Sequence, residues 1–93
     1  MDTESLKAKL KQEGFKHVYE WEDKPGTTYP AHSHKGKVSM YITDGSITLD
    51  IEGKKVELKS GDRFDVPVGK EHSAIVGPDG CSYIVGEMMK GDS

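Results

Sequence analysis

A single cysteine, Cys81, stands among 93 residues, which excludes an intramolecular disulfide and any cysteine-built zinc framework. Long apolar runs are missing too. Hydrophobic residues make up 33% of the chain against 31% charged, too scattered for a signal peptide or a spanning helix. Thirteen Lys and Arg against sixteen Asp and Glu leave a formal charge of −3, without the basic footprint that nucleic acid or an anionic lipid surface requires. These absences predict a cytoplasmic protein with no nucleic-acid or membrane partner. The sequence also has no G-x-S-x-G elbow, no glycine loop ending in Lys-Ser or Lys-Thr, and no pair of carboxylates in an acid/base setting, so its chemistry, if any, has to be metal chemistry.

What is present is ordered. A chain of this length has room for one hydrophobic core, divided here into an N-terminal helix and strand over 2–24, a core over 25–88 and a polar tail over 89–93. Leu6 and Leu10 with lysines at 7, 9 and 11 predict one amphipathic helix from Thr3 to Glu13, opened by Asp2 or Thr3 and closed by Gly14. Phe15, His17, Tyr19 and Trp21 then alternate with polar residues, predicting a strand with an aromatic face. Beyond Gly26 every segment reads as strand and turn, with turn signals at Lys35-Gly36, Asp44-Gly45, Glu52-Gly53, Ser60-Gly61, Val68-Gly69 and Pro78-Asp79-Gly80. Seven short strands follow, including Val38–Thr43 and Ser46–Glu52 as separate strands, and His72–Val76 and Cys81–Glu87 likewise. Ile47, Leu49 and Ile51 oppose Val56 and Leu58 across the Glu52-Gly53 turn, one face of that hairpin being core and the other water. Such spacing means an all-β sandwich or barrel.

His32 and His34 are two apart, so on a strand both imidazoles leave the same face, close enough to share one cation. His72 begins the alternation His72, Ala74, Val76, whose other members are of interior type. Val38, Met40 and Ile42 share one parity on the next strand and, with Ala74 and Val76, are predicted to line the barrel with apolar surface. His17 reads as an ordinary surface residue, Glu71 as a solvated charge, Cys81 as a small buried hydrophobe, and Trp21 as a cap on the core or a dimer interface. Tyr29, Tyr41 and Tyr83 read as aromatic core or rim.

Taken together, these residues resemble the cupin superfamily. Its first motif, G-x5-H-x-H-x3or4-E-x6-G, is similar to Gly26-TTYPA-His32-Ser-His34-KGK-Val38-SMYITD-Gly45, with Val38 where the motif has glutamate. The second, G-x5-P-x-G-x2-H-x3-N, resembles Gly61-DRFDV-Pro67-Val-Gly69-KE-His72-SAI-Val76, with Val76 in place of asparagine. The resemblance implies a small double-stranded β-helix with one short N-terminal helix, and a divalent transition metal held by His32, His34 and His72. Fe, Zn, Ni, Mn and Cu all suit such ligands. Without the glutamate, three neutral imidazoles leave the cation its full +2 charge and positions for a small molecule. Two functions stand open: a metal-dependent dioxygenase or isomerase of a small molecule, and a non-catalytic small-ligand or metal sensor. An unpaired edge beside Tyr19 and Trp21 predicts a homodimer.

Overall fold

Asp2 starts the chain's helix by accepting hydrogen bonds from the Glu4 amide at 3.1 Å and the Ser5 hydroxyl at 2.6 Å, the donors that a first turn leaves over. The computed structural model describes residues 2–33 and 35–88, so His34 and the polar tail over 89–93 lie outside the described residues. The helix α1 spans Thr3–Gln12, with Glu4 in its first turn and Lys9 and Lys11 in its last, the order its dipole favours. Glu13 caps it and Gly14 follows at φ +105°, the left-handed conformation in which helices end.

Six strands follow: β1 (His17–Asp23), β2 (Thr28–His32), β3 (Lys37–Ile51), β4 (Lys54–Lys59), β5 (Arg63–Val66) and β6 (His72–Met88). Here the structure corrects the reading of seven strands beyond Gly26, where it has five. Asp44-Gly45 does not reverse the chain, and β3 runs through it; Pro78-Asp79-Gly80 likewise lies within β6. Both places are bulges where a strand bends. The pairing Gly45↔Cys81 is followed by Ile47↔Val76, so one residue of β3 faces four of β6. Gly45 at φ +73° and Gly80 at φ +80° allow the bend, and a Cβ on Gly45 would meet the Gly80 carbonyl oxygen.

Those bends put each long strand into two layers. Residues 37–44 of β3 lie between β5 and the 82–88 stretch of β6, with β1 beyond; residues 46–51 lie between β4 and the 72–76 stretch of β6, with β2 beyond. All pairings are antiparallel. The result is a double-stranded β-helix, two four-stranded layers sharing β3 and β6. Glu52 (φ 52°) and Gly53 (φ 90°) make the predicted two-residue turn between β3 and β4.

Two apolar clusters hold this together. Between the layers, Met40, Ile42 and Val85 pack against Ile47, Leu49 and Leu58. On the outside of the β1 layer, Leu10, Phe15, Tyr41 and Ile84 pack under α1. Phe15 therefore does not continue the aromatic face of β1, which starts at His17; it sits against Gly86, where a Cβ would come within 3.0 Å of its ring. Arg63 ties the helix down, donating to both Glu13 oxygens at 2.8 and 2.6 Å and to the Tyr41 hydroxyl at 2.8 Å. No helix among the described residues is long and apolar enough to cross a membrane.

Candidate functional site

His32 ends β2 and His72 begins β6, and the two are direct cross-strand partners. Their rings lie 4.5 Å apart, centroid to centroid, tilted by 57°. The local backbone offers each ring an acceptor. The Nδ1 of His32 is 2.8 Å from the Pro30 carbonyl oxygen and that of His72 is 3.3 Å from the Lys70 carbonyl oxygen. A carbonyl only accepts, so in each contact Nδ1 is the donor, the arrangement found in metal-ligating histidines. The donor set thus fits a transition-metal cation. Among the described residues no group of three or more His, Cys, Asp or Glu converges as a metal site, and His34, the third imidazole of the sequence reading, lies outside them.

Both rings open onto a cavity of about 300 Å³ between the layers. Val38, Met40 and Ala74, expected on its wall, do line it. Ile42 and Val76 do not: they are buried at 0% and 3% exposure in the packed core, one step further along each strand than the cavity reaches. Trp21, Tyr29 and Tyr83 line it as well. Strict alternation from His32 would turn Tyr29 to the opposite face; a bulge between Tyr29 and His32, at Pro30-Ala31 on the edge strand, brings both inward.

Behind these aromatics sits a buried acid that the sequence did not flag. Asp23, at 8% exposure, accepts from Trp21 Nε1 at 2.9 Å and the Tyr29 hydroxyl at 2.6 Å on Oδ1, and from the Tyr83 hydroxyl at 2.7 Å on Oδ2. Burial, and then the bond to Asp23, push the Tyr83 phenol far above the usual range, and burial raises Tyr29 too. Cys81, buried nearby, has its thiol pushed up to about 11 by burial and is inert.

Glu87 is the other residue that pattern reading missed. It is the cross-strand partner of Val38 and lines the cavity, so a carboxylate stands on the strand beside the position where the family motif has its glutamate. The Tyr19 hydroxyl donates to its Oε2 at 3.3 Å. Tyr19 is held at about 12 by burial and by the Glu87 charge.

Comparison with known proteins agrees with this fold. The sequence profile described as a cupin domain matches residues 19–85. The chain superposes on KdgF from a Halomonas species at TM-score 0.64 and 24% identity, covering 75% of this chain and 66% of that one. It superposes on an RmlC-like cupin from Shewanella frigidimarina at TM-score 0.67 and 24% identity, covering 75% and 62%. The polyketide cyclase RemF from Streptomyces resistomycificus gives TM-score 0.66 and 27% identity, covering 75% and 52%. The chain thus spans between about half and two thirds of the length of these proteins. No curated protein matches the chain significantly.

Proposed function

The chain belongs to the cupin family, and on that premise we propose that it holds one divalent transition metal through His32, His34 and His72 and binds a small molecule in the adjoining cavity. The paired, carbonyl-tethered imidazoles of His32 and His72 are the observation that supports this most. Bound there, the metal would supply Lewis acidity and open coordination positions. The chain's own residues supply the rest: a largely apolar wall, and Glu87, which accepts a proton or a hydrogen bond in the cavity.

Glu87 also favours the catalytic reading over the sensor. With Val38 at the motif's glutamate position, the family motif itself places no carboxylate near the histidines, and Glu87 provides a proton acceptor from the neighbouring strand. The function is then a metal-dependent oxygenation or isomerisation of a small molecule. A homodimer through β1, the outer strand of its layer, belongs to the same proposal; light scattering at twice the chain mass is its check.

Elemental analysis of protein purified without a metal-affinity tag tests the centre. About one transition metal per chain is expected, lost in His32→Ala and His72→Ala. Val38→Glu should tighten metal binding by supplying an anionic ligand. A wild-type chain that stays empty when offered iron, zinc, nickel, manganese or copper overturns the metal reading.

A further inference from the structure

The polar atoms of the cavity are unevenly placed. Trp21, Tyr29 and Tyr83 each own one donor, and all three donors go to Asp23, which is not part of the lining. Those side chains therefore present ring carbon to the cavity and keep their polar tips behind it. The fourth aromatic, Tyr19, gives its hydroxyl to Glu87. His32 and His72 and aliphatic groups such as Met40, Leu49 and Val85 complete the wall, and among the described residues no lysine or arginine lines it.

Such a wall sorts ligands by chemistry. Away from the two imidazoles, a phosphate or carboxylate lying against this wall would lose its hydration with no cationic side chain to replace it. A sugar would bury several hydroxyls against carbon, each uncompensated. A flat apolar body loses nothing polar and gains contact with four rings. Its volume is bounded as well, because about 300 Å³ lies at the lower end of small-molecule sites. Besides the two imidazoles, the lining offers the Glu87 carboxylate as a polar anchor, which accepts and does not donate.

We infer that the cavity selects a flat, one- or two-ring aromatic or conjugated molecule bearing a hydroxyl, its rings on the aromatic wall and its hydroxyl donating to Glu87, with Asp23 as the positioning residue that keeps the wall apolar. The inference rests on the small-molecule reading above and names its ligand class. Asp23 acts through Trp21, Tyr29 and Tyr83: it withdraws their donors, and its loss turns three hydrogen-bonding groups loose at the wall.

The test uses the full chain after chelator treatment, so that no anion binds through a metal at the histidines, and reads Trp21, the one tryptophan of the chain, which lies in the cavity wall. Quenching of its fluorescence, confirmed by calorimetry, is titrated with 2-naphthol, phenyl phosphate and glucose. Binding of 2-naphthol at least about tenfold tighter than either competitor is expected, the factor that one unpaired buried polar group commands. Phenyl phosphate or glucose binding as well or better overturns the ligand class and leaves the small-molecule cavity standing; no binding of any probe overturns the cavity reading and the ligand class with it. Asp23→Ala, checked for folding by circular dichroism, should weaken 2-naphthol by about tenfold. Adding Tyr29→Phe and Tyr83→Phe to that variant should restore most of the loss, a rescue that a merely structural role would not produce. Should Asp23→Ala not fold, Asp23→Asn keeps the shape and one acceptor oxygen and should show a smaller loss of the same sign. Unchanged affinity in every folded Asp23 variant overturns the role of Asp23.

Discussion

Removing one oxygen atom, in Tyr83→Phe, probes the buried hub directly. Asp23 has two acceptor oxygens, and its three donors divide unequally between them: Trp21 and Tyr29 share Oδ1, while Tyr83 serves Oδ2. Among the described residues no other side chain donates to Oδ2, so Tyr83→Phe leaves a buried carboxylate oxygen without its partner. A hydrogen bond to a charged group contributes about 1.5–3 kcal/mol, and an orphaned acceptor forfeits the whole of it. In a domain this small each kcal/mol moves Tm by about 4–8 °C, so a fall of roughly 6–24 °C is expected. Tyr29→Phe leaves Trp21 on the same oxygen and should cost less, about 0.5–1.5 kcal/mol. Tyr19→Phe gives up a 3.3 Å bond at the surface and should stay within about 0.5 kcal/mol of wild type. Urea unfolding followed by far-UV circular dichroism and by Trp21 fluorescence gives the three values and checks that the transition is two-state. The alkaline limb gives a second reading. Burial and Asp23 raise the phenol of folded Tyr83 above its unfolded value of about 10; its contribution is therefore complete below about pH 10 and is lost as pH rises toward the folded value. Tyr83→Phe should flatten that limb. Equal midpoints for Tyr83→Phe and Tyr19→Phe would refute the hub.

At acid pH the helix clamp sets the behaviour. The Arg63 guanidinium lowers Glu13 below its ordinary 4.5, and the Ser39 hydroxyl, with Arg63 second, lowers Asp65 below 3.8. Depressed folded values mean stability that is present above those ordinary values and lost as pH falls through the folded ones. Thermal melts between pH 5 and pH 2 should therefore drop less steeply in Arg63→Ala than in wild type, and parallel curves would show that the clamp contributes nothing. A pair of glycines separates strain from collision. Gly53→Ala meets only the left-handed backbone penalty, about 1–2 kcal/mol, because nothing stands within 4 Å of its Cβ. Gly45→Ala adds a collision with the Gly80 carbonyl and should be the more destabilising by several °C in Tm; the reverse order would mean that the two long strands do not pack at that bend.

How much of this was legible in the residues depends on the range over which each signal acts. Local signals read well. Asp2 and Gly14 bracket the helix, Glu52-Gly53 makes its hairpin, and two motifs with glycine, proline and histidine in register point to the double-stranded β-helix. The same alphabet misled at Asp44-Gly45 and Pro78-Asp79-Gly80. A glycine at positive φ serves a chain reversal and a strand bend equally, and only the pairing of Ile47 with Val76 shows which one is made. The bulge at Pro30-Ala31 breaks the period of two and hid Tyr29. Ile42 and Val76 have the right parity for the cavity and the wrong depth, and depth is a property of how far two layers approach, which parity does not carry.

The hub and Glu87 were hidden for a different reason. Asp23 precedes Lys24-Pro25 and belongs to no motif; its partners come from positions 21, 29 and 83, the last 60 residues away, and only the fold brings that one to it. Glu87 sits at the end of β6 and becomes a cavity residue through its register with Val38. The two facts bear on each other. An acid in the motif's glutamate position would bond the metal directly and spend its charge there; an acid one strand away keeps its oxygens for a ligand. With Val38 on one strand and Glu87 on the next, three neutral imidazoles would leave the cation's charge undiminished while the carboxylate faces the cavity. With the proposed metal bound, that division would give a small hydroxylated molecule two distinct points of attachment, an electrophilic one at the histidines and a proton-accepting one at Glu87, with the Asp23-backed aromatic wall beside them.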